Sequence, residues 1–271
     1  MTARTLDHVG LACRDLDRAA ALYERLGFTL TPRAKHYAPG PSGAPEPTGT
    51  GNRCAMFREG YLELIAPIDP ARPSSTLERM LARHEGLHIV AFGIDDEEAE
   101  LARLRDAGVA IDGVAWLERP IAVEGRTERA RFARLPLPDA PEGRLQLIRH
   151  LTPDLLWRDD LLSHANRVVA LEEVVLAVAD PTETMARLEC LTGVPARDGV
   201  IALPRGRLRV VRSEPFPGIA APTLPWIAGA VLRTEDGGAA IRRLAGAFGR
   251  DTAAGFLLPP EHAGGAALLF L

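Results

Sequence analysis

The chain has 271 residues, 46% of them hydrophobic and 25% charged, with a formal net charge of −4. This is the balance of an ordinary globular protein; it offers no basic surface for nucleic acid or an anionic membrane, and the length suits two domains. Cys13, Cys54 and Cys190 are scattered and odd in number, which argues against a disulfide framework or a zinc finger. With no basic and apolar leader, and no apolar run near the ~20 residues that span a bilayer, a cytoplasmic location is expected.

Residues 4–13 alternate as a strand that places His8, Gly10 and Ala12 on one face. Asp15 then starts a helix with apolar positions at Leu16, Ala19, Ala20, Tyr23 and Leu26, and Gly27 ends it. From Pro32 to Asn52 the chain is rich in Pro and Gly and poor in apolar residues, which predicts a long irregular insertion, either a lid or a disordered excursion. Arg53–Phe57 and Tyr61–Ile65 read as a hairpin around Gly60, and Thr76–Arg83 as a short helix. A strand over Leu87–Ile94 and a helix over Asp96–Ala107 follow, with strands near Val114–Leu117, Thr127–Leu135 and Arg144–Arg149. The stretch from Arg119 to Arg134 carries five arginines, as a solvated hairpin would. Residues 151–167 form a linker with a short helix opened by Thr152 and Pro153.

The pattern of strand, acid-capped helix and glycine stop recurs. Leu6–Phe28 is the first copy, Leu87–Val109 the second, Leu171–Val194 the third, and Ile227–Phe248 a fainter fourth. The acid-to-glycine spacing is nearly constant: Asp15 to Gly27, Asp96 to Gly108, Asp180 to Gly193, Asp236 to Gly249. No such unit buries a sheet face alone, so the four are expected to pair, two in residues 1–150 and two in residues 168–271.

The segments LDHVGLACRDL, YLELIAP, GLHIVAFGIDD and RLQLI resemble the vicinal oxygen chelate superfamily, which includes glyoxalase I, extradiol dioxygenases and bleomycin-resistance proteins. LQLIRHLTPDLLW followed by LEEVVLAVADP is similar to its glyoxalase-like branch. The resemblance implies an α+β fold in which paired βαβββ modules form cupped mixed sheets. It implies a divalent metal (Zn, Ni, Fe or Mn) held in the first cup by His8, Glu63, His88 and Gln146. Gln146 departs from the glutamate that glyoxalase I members use as metal ligand and base, and an amide cannot take up that proton; Glu63 is then the expected base. His36 with Gly49–Asn52 is similar to a His…GTxN pattern of glyoxalase-like members, although simple turn chemistry explains those residues too. Family layout also places Trp116 and the Arg119–Arg134 hairpin, Arg119 first among its residues, on the other rim of the cup. In the C-terminal pair the equivalent positions are Glu173, Arg209, Ala228 and Leu268, which suit no divalent metal.

Three functional readings follow. The first is an isomerase or lyase, ahead of a dioxygenase, acting on a small substrate with vicinal oxygens that chelate the metal. The second is a metal-free protein that sequesters a small molecule, as resistance proteins of this fold do. The third is a homodimer kept as an interaction module without chemistry.

Overall fold

Each repeat does fold as a strand, a helix and returning strands. The computed structural model describes residues 5–39, 45–123 and 125–271. The first repeat gives β1 (Thr5–Ala12), α1 (Leu16–Arg25), β2 (Ala34–Pro39), β3 (Pro45–Met56) and β4 (Tyr61–Pro67). After α2 (Ser75–Arg83), the second gives β5 (Gly86–Gly93), α3 (Glu97–Asp106), β6 (Ala115–Val123), β7 (Arg126–Pro136) and β8 (Arg144–His150). The third supplies β9 (Val168–Ala177), α4 (Pro181–Thr192), β10 (Val200–Ala202) and β11 (Arg207–Val211). The fourth supplies β12 (Trp226–Thr234), α5 (Ala239–Ala245), β13 (Arg250–Asp251), β14 (Phe256–Leu258) and β15 (Ala267–Phe270).

The acids expected to start helices do so. Asp15, Asp96 and Asp180 are N-caps whose carboxylates accept the free N–H groups of the first turn. Gly27, Gly108 and Gly193 follow the helices with positive φ, which is how glycine reverses a helix end. The fourth unit departs from this plan. There Gly238, at φ 78°, takes the cap position, and the helix stops at Ala245, four residues before Gly249.

The modules pair as expected, in two mixed sheets ordered β2-β3-β4-β1-β5-β8-β7-β6 and β10-β11-β9-β12-β15-β14-β13. In the first, β1 and β5 lie antiparallel at the centre with Val9 opposite Val90, and each is flanked by a parallel strand, β4 or β8. The two modules are thus related by a local two-fold axis near Val9. Both central strands bulge: the pairing skips Asp7 on β1 and His88 on β5. The second sheet repeats this, skipping Glu172 and Ala228. A bulge adds one residue without a ladder partner and re-aims the side chains around it.

Much of the predicted irregular insertion is instead a β-hairpin. β2 pairs with β3, and β3 pairs along the whole of β4, with Asn52 opposite Ile65 and Cys54 opposite Glu63. An unpaired β4 edge would leave backbone groups unsatisfied, and a strand poor in apolar residues serves there because one of its faces lines a polar cavity. Gly49 makes the fit possible: at φ 77° it sits so close to Arg72 that a Cβ would lie 1.8 Å from the Arg72 carbonyl oxygen. Residues 40–44 of the insertion lie outside the described residues.

One continuous core joins the two sheets. Leu6, Val9, Leu62, Val90, Val174 and Leu232 share it with the apolar faces of α1, α3, α4 and α5. Polar ties cross the same boundary: Tyr23 donates its hydroxyl to the Ala263 carbonyl, 3.1 Å away, and Arg103 donates to the carbonyls of Cys190 and Leu191. The concave face of the first sheet is closed at one end by α2 through Leu77, Met80 and Leu81. At the other end Leu156, Trp157 and Leu161 of the 151–167 segment pack on Tyr61, Phe132 and Ile148. The expected linker is therefore also a wall of the cup. Among the described residues no helix is long and apolar enough to cross a membrane.

Tyr23→Phe leaves the buried Ala263 carbonyl without this donor. The expected result is a single unfolding transition shared by both sheets, with stability lowered by about 1–2 kcal/mol. Chemical denaturation followed by fluorescence and circular dichroism measures it.

Candidate functional site

The concave face of the first sheet encloses a cavity of about 360 Å³. His8 points into it from the middle of β1, and Glu63 and Gln146 face it from β4 and β8. The pairing explains why these three converge. Gly10 lies opposite Glu63 and Ala91 opposite Gln146, so the local two-fold axis exchanges Glu63 with Gln146. The same axis exchanges the pair His8–Ala91 with Ile89–Gly10. The counterpart of His8 is therefore Ile89, and the counterpart of His88 is Asp7.

The structure does not bring His88 into the cavity. It occupies the bulge of β5, stacks against His84 with ring centroids 4.2 Å apart, and donates Nε2–H to the His84 carbonyl at 3.0 Å. Burial lowers its pKa. Aligning the second repeat on its apolar positions, Leu87 with Leu6 and Val90 with Val9, gives this register from sequence alone. Trp116 also misses the cavity. On β6 the neighbours Ala115, Leu117 and Arg119 line it, whereas Trp116 is 58% exposed on the other face.

His8 is 2% exposed and lies flat on Tyr61, with ring centroids 4.3 Å apart. Its Nδ1 stands 2.6 Å from Asp7 Oδ1, and a carboxylate at that distance fixes the proton on Nδ1. Nε2 is left as an acceptor, and the Gln146 amide nitrogen lies 3.3 Å from it. Asp7 also accepts from His150 Nε2 at 3.1 Å. Burial pushes the Asp7 carboxyl up, but the charge and hydrogen bond of His150, then the hydrogen bond of His8, outweigh it and hold Asp7 ionised, well below the usual carboxylate range. His150 is packed edge-on against Trp157 and Phe132. Sequence reasoning missed Asp7 and His150; the available signal was an acid next to His8 in an otherwise apolar strand.

Glu63 belongs to a second network. Its Oε1 accepts from Asn52 Nδ2 at 2.5 Å and lies 3.5 Å from His36 Nε2. The other His36 nitrogen meets Thr50 Oγ1 at 2.9 Å, and Arg119 donates to Asn52 Oδ1 at 2.9 Å. The structure thus brings together His36, Asn52, Glu63 and Arg119. Burial pushes the Glu63 carboxyl up, but the hydrogen bond and charge of His36, with the hydrogen bond of Asn52, outweigh it and hold the pKa down at about 2. Arg134 and Arg144, from the second module, complete the cavity wall.

These residues do not fit the divalent metal that the family resemblance implies. Ile89 stands where the second imidazole belongs, Gln146 is an amide, and Glu63 is already engaged by Asn52 and His36. Arg134 and Arg144 both lie within electrostatic range of Glu63 and would repel a dication. Among the described residues, no group of three or more His, Cys, Asp or Glu is placed to hold a metal ion.

The second cup differs. Arg209, at the position of Glu63, is paired with Glu173 at 2.7 Å and bonded to the Pro215 carbonyl. The rest is filled by Val175, Phe216, Ile219, Trp226 and Leu269. The register places Leu269, rather than Leu268, at the position of Gln146.

A family model described as a glyoxalase-like domain matches residues 6–192. No curated protein sequence matches the chain. Among solved structures, a hypothetical protein from Staphylococcus aureus is similar over 99% of both chains, with a TM-score of 0.64 at 12% identity. A variant of 4-hydroxymandelate synthase from Streptomyces coelicolor is similar over 90% of this chain and 75% of its own, with a TM-score of 0.57 at 18% identity. A xylose isomerase-like TIM barrel/4-hydroxyphenylpyruvate dioxygenase fusion protein gives a TM-score of 0.52 at 15% identity, covering 89% of this chain and 38% of its own. At these identities the likeness is one of fold.

Glu63 has a lowered pKa in the folded protein, so the stability it contributes is fully present above the ordinary value of 4.5 and is lost as pH falls through about 2. Glu63→Gln is accordingly expected to cost on the order of 1–3 kcal/mol at pH 7, and less as the pH approaches 2. Denaturant titrations of both proteins across that range test the sign.

Proposed function

The chain belongs to the glyoxalase-like domain family, and on that premise we propose that it is a small-molecule enzyme, an isomerase or lyase that moves a proton on a substrate with adjacent oxygens bound in the first cup. The carrying observation is His8: Asp7 holds its Nδ1–H, and its Nε2 faces the cavity as an acceptor with the Gln146 amide beside it. A carboxylate that orients an imidazole in this way makes it a competent general base and steadies the cation it becomes. In this reading His8 Nε2 takes a proton from the carbon next to a carbonyl and returns it to the adjacent carbon or oxygen. Arg119 and the Gln146 amide supply N–H donors for the enolate oxygen formed between the two transfers.

The base is assigned to His8 rather than to Glu63. With its pKa near 2, Glu63 is about five units from neutral pH, and catalytic efficiency favours a base matched to the operating pH. Glu63 acts instead as the fixed anion that positions His36 and Asn52. No step runs through a metal, because the donor set does not suit one. A dioxygenase is disfavoured for the same reason: it needs two imidazoles and a carboxylate at one iron. Residues 1–150 form the catalytic domain in this reading and residues 168–271 a degenerate second domain, joined through 151–167, that buttresses the first from behind.

The competing reading, sequestration of a hydrophobic molecule, suits a dry apolar cup, whereas this one is lined by ionised groups that face one another. Assay of methylglyoxal–thiol adducts and small 2-oxo and 2-hydroxy acids in D2O, read as solvent deuterium entering the substrate, tests the proposal. His8→Ala is expected to lower the exchange rate by roughly a hundredfold or more, and Glu63→Gln by less than tenfold. Loss with Glu63→Gln and survival with His8→Ala would move the base to Glu63. No exchange with any substrate class would favour the binding protein.

A further inference from the structure

The second-module half of the cup carries two guanidiniums that, among the described residues, no carboxylate pairs with directly. Arg134 on β7 and Arg144 on β8 both line the cavity. Arg134 Nε is buried without a hydrogen-bond partner, and so is Arg119 Nε. Among the described residues, neither the Arg134 nor the Arg144 side chain forms a hydrogen bond or an ion pair. Glu63 is the carboxylate with the largest electrostatic effect on Arg144; Asp139, the next, is largely exposed and pairs with Arg79 at 3.7 Å. Among the described residues, the carboxylates on the cavity wall are Glu63, held by Asn52 and His36, and Glu118 at the rim, held by Arg129.

The fold places these groups by the same two-fold relation that places Glu63. Asn52 lies opposite Ile65 on β3 and β4, and Arg134 lies opposite Ile148 on β7 and β8. Arg134 is thus the counterpart of Asn52. Where the first module sets an amide beside Glu63, the second sets a guanidinium beside Gln146, a residue with no charge to answer it. Arg144 stands two residues from Gln146 on the same face of β8, next to Ile89. Burial and the nearness of Arg144 both work against the charged form of Arg134 and outweigh the more distant Glu63, which favours it. Buried guanidiniums are normally paired, and leaving one unpaired is costly.

We propose that Arg134 and Arg144 are an anion subsite, and that the ligand of this cup is a small organic acid whose carboxylate they grip. The inference rests on the reading of the first cup as the substrate site and adds the substrate class. It also fixes orientation. The anionic end lies against β7 and β8, where a planar carboxylate suits the guanidinium fork. The remainder of the molecule is directed toward His8 at the centre and Asn52 beyond it. A vicinal-oxygen acid such as a 2-oxo or 2-hydroxy acid meets both demands.

Calorimetric titration of the protein with oxalate, inorganic phosphate and the uncharged diketone diacetyl tests this without any catalytic readout. Oxalate is expected to bind saturably, more tightly than phosphate, and more weakly as salt is raised. Arg134→Gln and Arg144→Gln should each weaken oxalate binding at least tenfold, Arg134→Lys less so, and diacetyl should not respond to these changes. His8→Asn should keep oxalate affinity within a few-fold, so that failed catalysis and failed anion binding are told apart. Without ligand, Arg134→Met should melt at the same or a higher temperature than the parent, because it removes an unpaired buried charge. Equal oxalate affinity in the parent and the Arg134→Gln/Arg144→Gln double variant, or no oxalate binding to the parent, would overturn the proposal. Tighter binding of phosphate than oxalate would overturn the carboxylate assignment.

Discussion

A single skipped residue near the start of each module's first strand governs what this molecule presents to a ligand. The β-bulges at Asp7 and His88, repeated at Glu172 and Ala228, shift the side chains by one place relative to a regular ladder. A shift of one residue in a strand moves a side chain from one face to the other. Because of it His8 enters the cup with Asp7 behind it, while His88 is held away against His84. The local two-fold axis then makes the cup chemically lopsided, since it relates His8 to Ile89, Glu63 to Gln146 and Asn52 to Arg134. One half holds an imidazole, a carboxylate and an amide; the other holds an isoleucine, an amide and a guanidinium.

This asymmetry turns a structural pseudo-symmetry into a directional site. Acid–base groups gather at the centre and toward the first module, and unbalanced positive charge gathers toward the second. A small acid entering such a field is oriented before any close contact forms, because like charges meet at the wrong end. The second sheet has the same bulges but different residues at the equivalent positions. Arg209 and Glu173 neutralise one another there, and Phe216, Ile219 and Trp226 occupy the concave face. Two cups of one architecture thus separate into a polar cavity and a packed core.

Much of the fold was legible in the sequence because its signals are local. The caps Asp15, Asp96 and Asp180 and the glycines that follow each helix mark the modules without reference to tertiary contacts, and the family resemblance supplied the pairing. The convergence of His8, Glu63 and Gln146, with His36, Asn52 and Arg119 around them, was also within reach. What escaped depended on register. His88 was assigned to the cup because a bulge has no composition of its own; only the match of Leu87 and Val90 to Leu6 and Val9 reveals it. The β2–β3 hairpin was read as irregular, since a strand rich in Pro, Gly and Thr carries little β signal when one face lines a polar cavity and its partner strand supplies the order. Asp7 escapes, and Arg134 reads only as part of a solvated or rim hairpin, for a shared reason: a buried charge looks like a surface charge until its surroundings are known.

The central claim is that Asp7 fixes His8 with its proton on Nδ1 and leaves Nε2 free to act in the cup. Long-range 1H–15N correlation spectra of the histidine side chains at neutral pH report this most directly. The predicted result is an Nδ1–H tautomer for His8, reverting on Asp7→Asn. His88 and His164, which donate Nε2–H to the carbonyls of His84 and Met56, should show the Nε2–H form and serve as internal references. An Nε2–H tautomer at His8 in the parent protein, or one indifferent to Asp7→Asn, would contradict the account.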